Sequence, residues 1–319
     1  MTGGARGEHG HFELGGRREF DIIRSMLGVW GSDAHGIGDD AAVLTVPQGH
    51  RLIASTDASV EGVHFRREWL TPREIGARAA AAALSDLAAM AAAPLGMLLA
   101  LALPQSWLPE IEVVARGVGE MASRTRCPIV GGNLARADVL SLTLTVLGSA
   151  VNPLARAGAR AGDIVYVTGL LGGSVSALQA LVRGTPVRDA DRQRFVAPRP
   201  RLDEARWLAE RGATAAIDIS DGLLADAGHL AAASAVAIEL DPARYPCVDG
   251  VSAAVAAWSG EEYELLVAFP PNYIPDVDAF RERFGLPLTA IGRVSSGEGV
   301  RERGSAVRVE FQKGHDHFS

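Results

Sequence analysis

The sequence predicts an α/β (α+β) protein of two domains, and three observations predict it. The chain has 319 residues, 48% of them hydrophobic, enough to bury a substantial core. Apolar β-like runs alternate along it with segments of helical periodicity. The pattern breaks at the polar, proline-containing Val151-Asn152-Pro153 stretch and then restarts. Domains over 17–150 and 151–319, of roughly 130 and 170 residues, are a natural split. Residues 1–16, rich in glycine and histidine and without an apolar run, read as a flexible tail and not as a signal peptide.

The first domain opens with RREFDIIRSML, where Phe20, Ile23, Met26 and Leu27 fall at helical spacing. A glycine-rich loop, GSDAHGIGDD, follows, and then three β-like runs, AAVLTV, RLIAST and VEGVHF. Thr71-Pro72-Arg73-Glu74 is a capping box with proline at the first helical position, so a helix is expected from about Pro72 to Ala93. A strand from Leu98 to Leu103, a helix from Pro109 to Arg124, and β-like runs over Pro128–Val130 and Val139–Gly148 complete the half. The second domain restarts with DIVYVTG, a glycine-opened helix over Ser174–Val182 and a linker at Pro198-Arg199-Pro200. It continues with strands in ATAAIDI, VAIEL, YELLVAF and LTAIGRV and a helix in DGLLADAGHLAAAS.

Composition excludes several classes. A formal charge of −7 argues against a general binder of nucleic acid or anionic membrane, since both require a basic surface. Cys127 and Cys247 are too few and too far apart for a zinc site or a disulfide framework, which fits a reducing cytoplasm. The uncharged stretch from Leu87 to Leu103 approaches a bilayer-spanning length of about 18 to 20 residues. Half of it is alanine, and Pro94 and Gly96 divide it, so a buried helix followed by a buried strand is expected in place of a membrane span.

The chemistry lies in acids at strand ends and glycine turns, where rigid elements hold side chains toward a cleft. Asp39 and Asp40 close GIGDD, Asp57 ends IASTD, Asp218 and Asp221 sit in IDISDG, and Glu261 and Glu262 follow Ser259-Gly260. Any one of these can be a turn former or a helix cap. Together they form a hard-oxygen set of the kind Mg²⁺ takes. Asp86 lies inside an Ala/Leu-rich helix, where an unpaired carboxylate would cost several kcal/mol to bury; it should face a cation, either a metal or an arginine such as Arg78. Lys313 is the only lysine and no GxxxxGK[ST] occurs, so arginine, backbone N–H groups and metal must bind phosphate. Glycine turns at Gly131-Gly132 and Gly169–Gly173 could supply such N–H groups. His64 in GVHF can meet a substrate or simply be a satisfied residue at a strand end.

GIGDDAAV, STDASVEGVHF, ALSDLAAMAAAPLG, VGGN, AIDISDGLLADAGHL, SGEEYELLVAF and KGHDHF, in that order, resemble the thiamine-monophosphate kinase family from about Arg18 to Phe318. The resemblance implies the fold of the aminoimidazole-ribonucleotide-synthase-like superfamily. In it the N-terminal domain pairs its sheet across a homodimer to make a barrel, beside a C-terminal α/β domain. It implies transfer of phosphate from ATP to thiamine monophosphate with several Mg²⁺ ions, by direct in-line attack. By the same resemblance Asp40, Ser55, Thr56, Asp57, Asp86, Asp218 and Asp221 would hold the metals, Thr56 through its backbone. Gly132, Arg156 and Ser220 would contact ATP, and His64 and Glu261 the thiamine phosphate. Three positions depart from the family pattern. Asn133 replaces an Asp at the metal and ATP site, and Ser259-Gly260-Glu261-Glu262-Tyr263-Glu264 stands for GGEDYE. His315 takes the place of an aromatic residue expected to stack on the thiamine.

Overall fold

The computed structural model describes residues 18–304, and among these the chain forms two compact units. One unit comprises the residues through Leu87 together with Ala93–Asn152; the other comprises Ala88–Ala92 and the residues from Pro153 on.

The first unit contains α1 (Arg18–Trp30), β1 (Arg51–Val60), α2 (Pro72–Ala89), β2 (Ala93–Leu103), α3 (Ile111–Thr125), β3 (Ile129–Arg136) and β4 (Ser141–Ala150). Its four-stranded sheet runs β1-β4-β2-β3. β4 is antiparallel to both β1 and β2, and β3 lies parallel to β2. The capping box forms as its residues dictate: the Glu74 N–H donates to Thr71 Oγ1 at 3.3 Å, and the Thr71 N–H to Glu74 Oε2 at 2.8 Å. α2 and α3 touch backbone to backbone. A Cβ at Gly117 would collide with the Arg73 carbonyl, and one at Gly76 with the Val114 carbonyl. α1 is fastened to α3 by Trp30, whose indole N–H donates to the Ala115 carbonyl at 2.8 Å.

The second unit contains β5 (Ile164–Thr168), α4 (Gly173–Arg183), α5 (Asp189–Val196), α6 (Leu202–Glu210), β6 (Ala215–Asp218), α7 (Leu223–Ser234), β7 (Ala237–Leu240), α8 (Ala253–Ala256), β8 (Leu265–Phe269), α9 (Val277–Phe284), β9 (Leu288–Ser295) and β10 (Gly299–Glu302). The six strands run β10-β7-β9-β5-β8-β6, and only β10 and β7 are parallel. One continuous core joins Val165 and Val167 of β5, Ile217 of β6, Leu230 of α7, Ile238 of β7, Leu266 of β8 and Ile291 of β9. Each such side chain contributes about 1.5–3 kcal/mol of burial. A polar anchor lies within the unit: Glu264, 1% exposed, receives two hydrogen bonds from the Arg201 guanidinium at 2.8 and 2.5 Å, and one from Thr168 Oγ1 at 2.7 Å. All but one strand pair here are antiparallel, so the α+β description fits better than a parallel α/β sheet.

Several expected boundaries move. No strand forms over 41–46, where Val43 is 95% exposed, and of VEGVHF only Val60 lies in a strand, as the last residue of β1, while the rest folds as a turn. α2 ends at Ala89 and not Ala93, because Ala91 turns left-handed at φ 52° and Ala93 already pairs with Ser149 in the sheet. Pro94 lies within β2 and not before it, next to a register shift between Pro94 and Gly96 that accommodates the missing N–H. Gly131 and Gly132 are not a turn; they pair inside β3 with Leu98 and Leu99. No helix among the described residues is long and apolar enough to cross a membrane. The tail over 1–16 and His315 lie outside the described residues.

Candidate active site

In the first unit β1 supplies alternating oxygen donors. Ser55 and Asp57 share one face of the strand and are half-buried, and the Ser55 hydroxyl donates to Asp86 Oδ2 across to α2. The partner the structure gives Asp86 is thus a hydroxyl and not Arg78. A serine–aspartate pair presents only oxygen atoms, the donor type that suits a hard cation. Thr56 projects from the opposite face, where its Oγ1 lies 3.1 Å from that of Thr145, its register partner. Only its backbone belongs to the Ser55 side. His64 is half-buried in the turn after β1; its Nδ1 accepts the Val60 N–H at 3.1 Å, which leaves the proton of a neutral ring on Nε2. The turn itself is held by Glu61, whose Oε2 accepts from Trp107 Nε1 at 2.8 Å and the Leu140 N–H at 3.3 Å.

A cavity of about 360 Å³ also lies in this unit. Its apolar wall is the face of α1 that carries Phe20, Ile23 and Trp30, and its polar end brings Asp39 and Asp40 together with Gly132 and Asn133. Gly132 has no space for a side chain, since a Cβ would run into the Leu99 carbonyl. Asn133 is exposed on β3, so its amide is free of the core and open to the cavity's polar end.

In the second unit β6 ends on Asp218, 4% exposed, and the chain turns through Ser220, Asp221 and Gly222 into α7. That turn is gathered by Asp226, one helical turn on. Its Oδ2 accepts the N–H groups of Ser220, Asp221 and Gly222 at 3.0, 3.0 and 3.1 Å. Burial, with the charges of Asp218 and Asp221, pushes the Asp226 carboxyl up to about 8, against the pull of the backbone hydrogen bonds. Oxygen atoms of Asp221 and Asp226 and a ring nitrogen of His229 lie within 4.8 Å of one another.

The loop after α8 is stitched to this turn. The Glu261 N–H donates to the Ser220 carbonyl at 2.7 Å and the Tyr263 N–H to the Ile219 carbonyl at 2.9 Å. Glu261 and Tyr263 both hold left-handed φ angles, 56° and 53°. Asp218, Ser220, Asp221 and Glu261 are therefore brought together. Arg156 is exposed, and the loop that carries it is pinned by Ser234: its Oγ donates to the Arg156 carbonyl at 2.8 Å and accepts from Gly158 and Ala159 at 3.2 Å each.

Sequence reasoning singled out the acids at strand ends but missed Asp226, Ser234 and Glu61. Each works by collecting backbone N–H or C=O groups, a role that leaves no motif. The one signal available was a polar residue within an otherwise apolar helix or turn, as at Asp226 in LLADAGHL.

The chain matches the family models for the AIR synthase related protein N-terminal domain over residues 38–150 and C-terminal domain over residues 160–304. It is 35% identical to a thiamine-monophosphate kinase of Salmonella typhimurium, over 95% of this chain and 96% of that protein. It is also 35% identical to one from Escherichia coli, with the same coverage. Among solved structures, the thiamine-monophosphate kinase of Stenotrophomonas maltophilia superposes with a TM-score of 0.81 at 34% identity, covering 94% of this chain and 100% of that one. AaThiL complexed with AMPPCP and TMP superposes with a TM-score of 0.75 at 32% identity, covering 96% and 100%. Escherichia coli HypE, a hydrogenase maturation protein, shares the fold alone, at 22% identity and a TM-score of 0.75.

Proposed function

Because the chain belongs to the thiamine-monophosphate kinase family of AIR synthase-related proteins, we infer that it transfers a phosphoryl group from ATP to thiamine monophosphate, giving ADP and thiamine diphosphate. The observation that carries this reading within the molecule is the Ser55–Asp86 pair on β1 and α2. It is an all-oxygen donor set on rigid elements in a chain whose only lysine is Lys313.

The residues suit Mg²⁺: Asp40, Ser55, Asp57, Asp86 and the Thr56 backbone in one unit, with Asn133 as a neutral amide donor, and Asp218 and Asp221 in the other. When bound, Mg²⁺ neutralises phosphate charge and aligns donor and acceptor phosphates. The chain itself binds and orients. The cavity beside α1 offers an apolar wall for the base of ATP, while Gly132 and Asn133 lie at its polar end. Ser220 and the exposed Arg156 meet ATP phosphates, and His64 and Glu261 hold thiamine monophosphate. No side chain has to remove a proton, because the attacking phosphate oxygen is already anionic; positioning and charge neutralisation carry the step, and transfer is in line. The oxygen of the acceptor phosphate forms the new P–O bond as the bond from the γ-phosphorus to the bridging oxygen breaks, and ADP leaves.

Residues 17–150 serve dimerisation, metal and nucleotide in this reading, and 151–319 form the C-terminal α/β domain. A homodimer built through the first unit's sheet agrees with the bare apolar segment at Val43, 95% exposed. A cytoplasmic location agrees with two unpaired cysteines. The test is incubation with ATP, Mg²⁺ and thiamine monophosphate and chromatography of the thiamine species, with EDTA and Asp86→Ala controls. Thiamine diphosphate formed only by the wild type with metal is the expected result. ATP consumed with no thiamine diphosphate would overturn the substrate, and light scattering at monomer mass would overturn the dimer.

A further inference from the structure

Glu261 holds a backbone conformation that any residue with a Cβ adopts at a cost, so its surroundings must over-determine it. One side of the constraint is the stitching to Ser220 and Ile219 described above. The other side is buried. Glu262 turns away from Glu261 into the protein, where its Oε1 accepts the N–H groups of Gly172 at 2.9 Å and Ser174 at 3.2 Å, and the hydroxyl of Ser259. Ser259, 0% exposed, in turn accepts the Val175 N–H at 3.2 Å through its Oγ. Ser174 Oγ donates back to the Glu261 carbonyl at 2.8 Å.

The amides of Gly172, Ser174 and Val175 open α4 and have no partners within the helix. One carboxylate and one hydroxyl from the 259–262 loop satisfy all three, with the carboxylate at the helix end where an anion is favoured. We propose that Ser259 and Glu262 form a single positioning unit that clamps the 259–264 loop onto the start of α4 and so sets where Glu261 presents its carboxylate to thiamine monophosphate. Three donors converge on Glu262 Oε1, which fixes the side chain within this unit. The pair acts only through Glu261, and the proposal rests on the reading that Glu261 meets that substrate.

Four variants test it: Ser259→Ala, Glu262→Ala, Glu262→Gln and the Ser259→Ala/Glu262→Ala double variant. Steady-state constants are measured for both substrates, and backbone hydrogen exchange is followed over peptides spanning 170–176 and 258–264 without substrate. Ser259→Ala and Glu262→Ala are each expected to raise KM for thiamine monophosphate about tenfold, with KM for ATP and kcat within about twofold. Glu262→Gln, which keeps an acceptor oxygen, should recover most of the loss. The double variant should be little worse than Glu262→Ala alone, because the two residues act as one unit. Exchange should quicken in both peptides together.

If exchange quickens but KM for thiamine monophosphate stays put, the pair is structural only and the proposal falls. It falls equally if kcat and both KM values shift alike. Should Glu262→Ala not fold, Ser259→Ala removes one hydroxyl and carries the same comparison. Wild-type protein that makes no thiamine diphosphate would sink the proposed function instead, and the exchange data would still report on the clamp.

Discussion

The hydroxyl of Ser55 donates to the Asp86 carboxylate, joining β1 to α2. The serine orients the acid, so the two should contribute unequally. Asp86→Ala is expected to lower kcat about 100-fold or more, with a higher half-saturating Mg²⁺ concentration. Ser55→Ala should cost about tenfold, the worth of one hydrogen bond to a charged group. Thiamine diphosphate formation across a Mg²⁺ titration measures both. Equal losses would mean that the serine contributes as much to the metal as the acid it orients.

Asn133 lies at the polar end of the cavity that Asp40 also lines. A carboxylate there would add charge to the donor set, so Asn133→Asp should lower the half-saturating Mg²⁺ concentration about threefold to tenfold, with the ATP concentration fixed. An unchanged titration would show that residue 133 stands outside the metal's reach.

Asp226 is 2% exposed, and three amides converge on one of its oxygens. Asp226→Ala strands them and should destabilise the protein by about 2–4 kcal/mol in urea unfolding. Asp226→Asn retains an acceptor and should lose about half as much or less. If the alanine variant unfolds at the wild-type midpoint, the turn is held by something else.

Burial pushes the Glu262 carboxyl up to about 7 from an ordinary value of 4.5. The folded state therefore holds this proton more tightly than the unfolded chain. Its contribution favours the folded state at low pH and is lost as pH rises from about 4.5 through 7, at up to about 1.4 kcal/mol per pH unit. Asp226, raised to about 8, tilts the same way. The difference between wild-type and Glu262→Gln stability should slope downward with pH across that window. A flat difference would mean that Glu262 titrates alike in the folded and the unfolded chain.

How much of this was legible in the sequence varies from residue to residue. Asp218 and Asp221 announced themselves, because acids that end an apolar run have few reasons to be there. Asp86 stood out as a charge among alanines, but its partner is 31 positions away on another element, and no local pattern reports that. AAVLTV alternates like a strand, yet a strand needs a neighbour to bond, and none pairs with it among the described residues. The alanine run of α2 carried no stop signal, so its end was fixed by sheet pairing at Ala93. Glu262 looked like a lengthened active-site acid; only the folded loop shows it bonded to the amides that open α4.

The close backbone approach of α2 and α3 at Gly76 and Gly117 has a reach beyond the two helices that meet there. Asp86 sits ten residues along α2 from Gly76, about 15 Å at the helical rise. With the two backbones in direct touch, the crossing point behaves as a fulcrum, and a methyl group inserted at residue 117 would tilt the far end of α2 away from β1. Random mutagenesis screened for lost magnesium response should accordingly return substitutions at 76 and 117, positions that touch neither nucleotide nor metal, alongside those at 86.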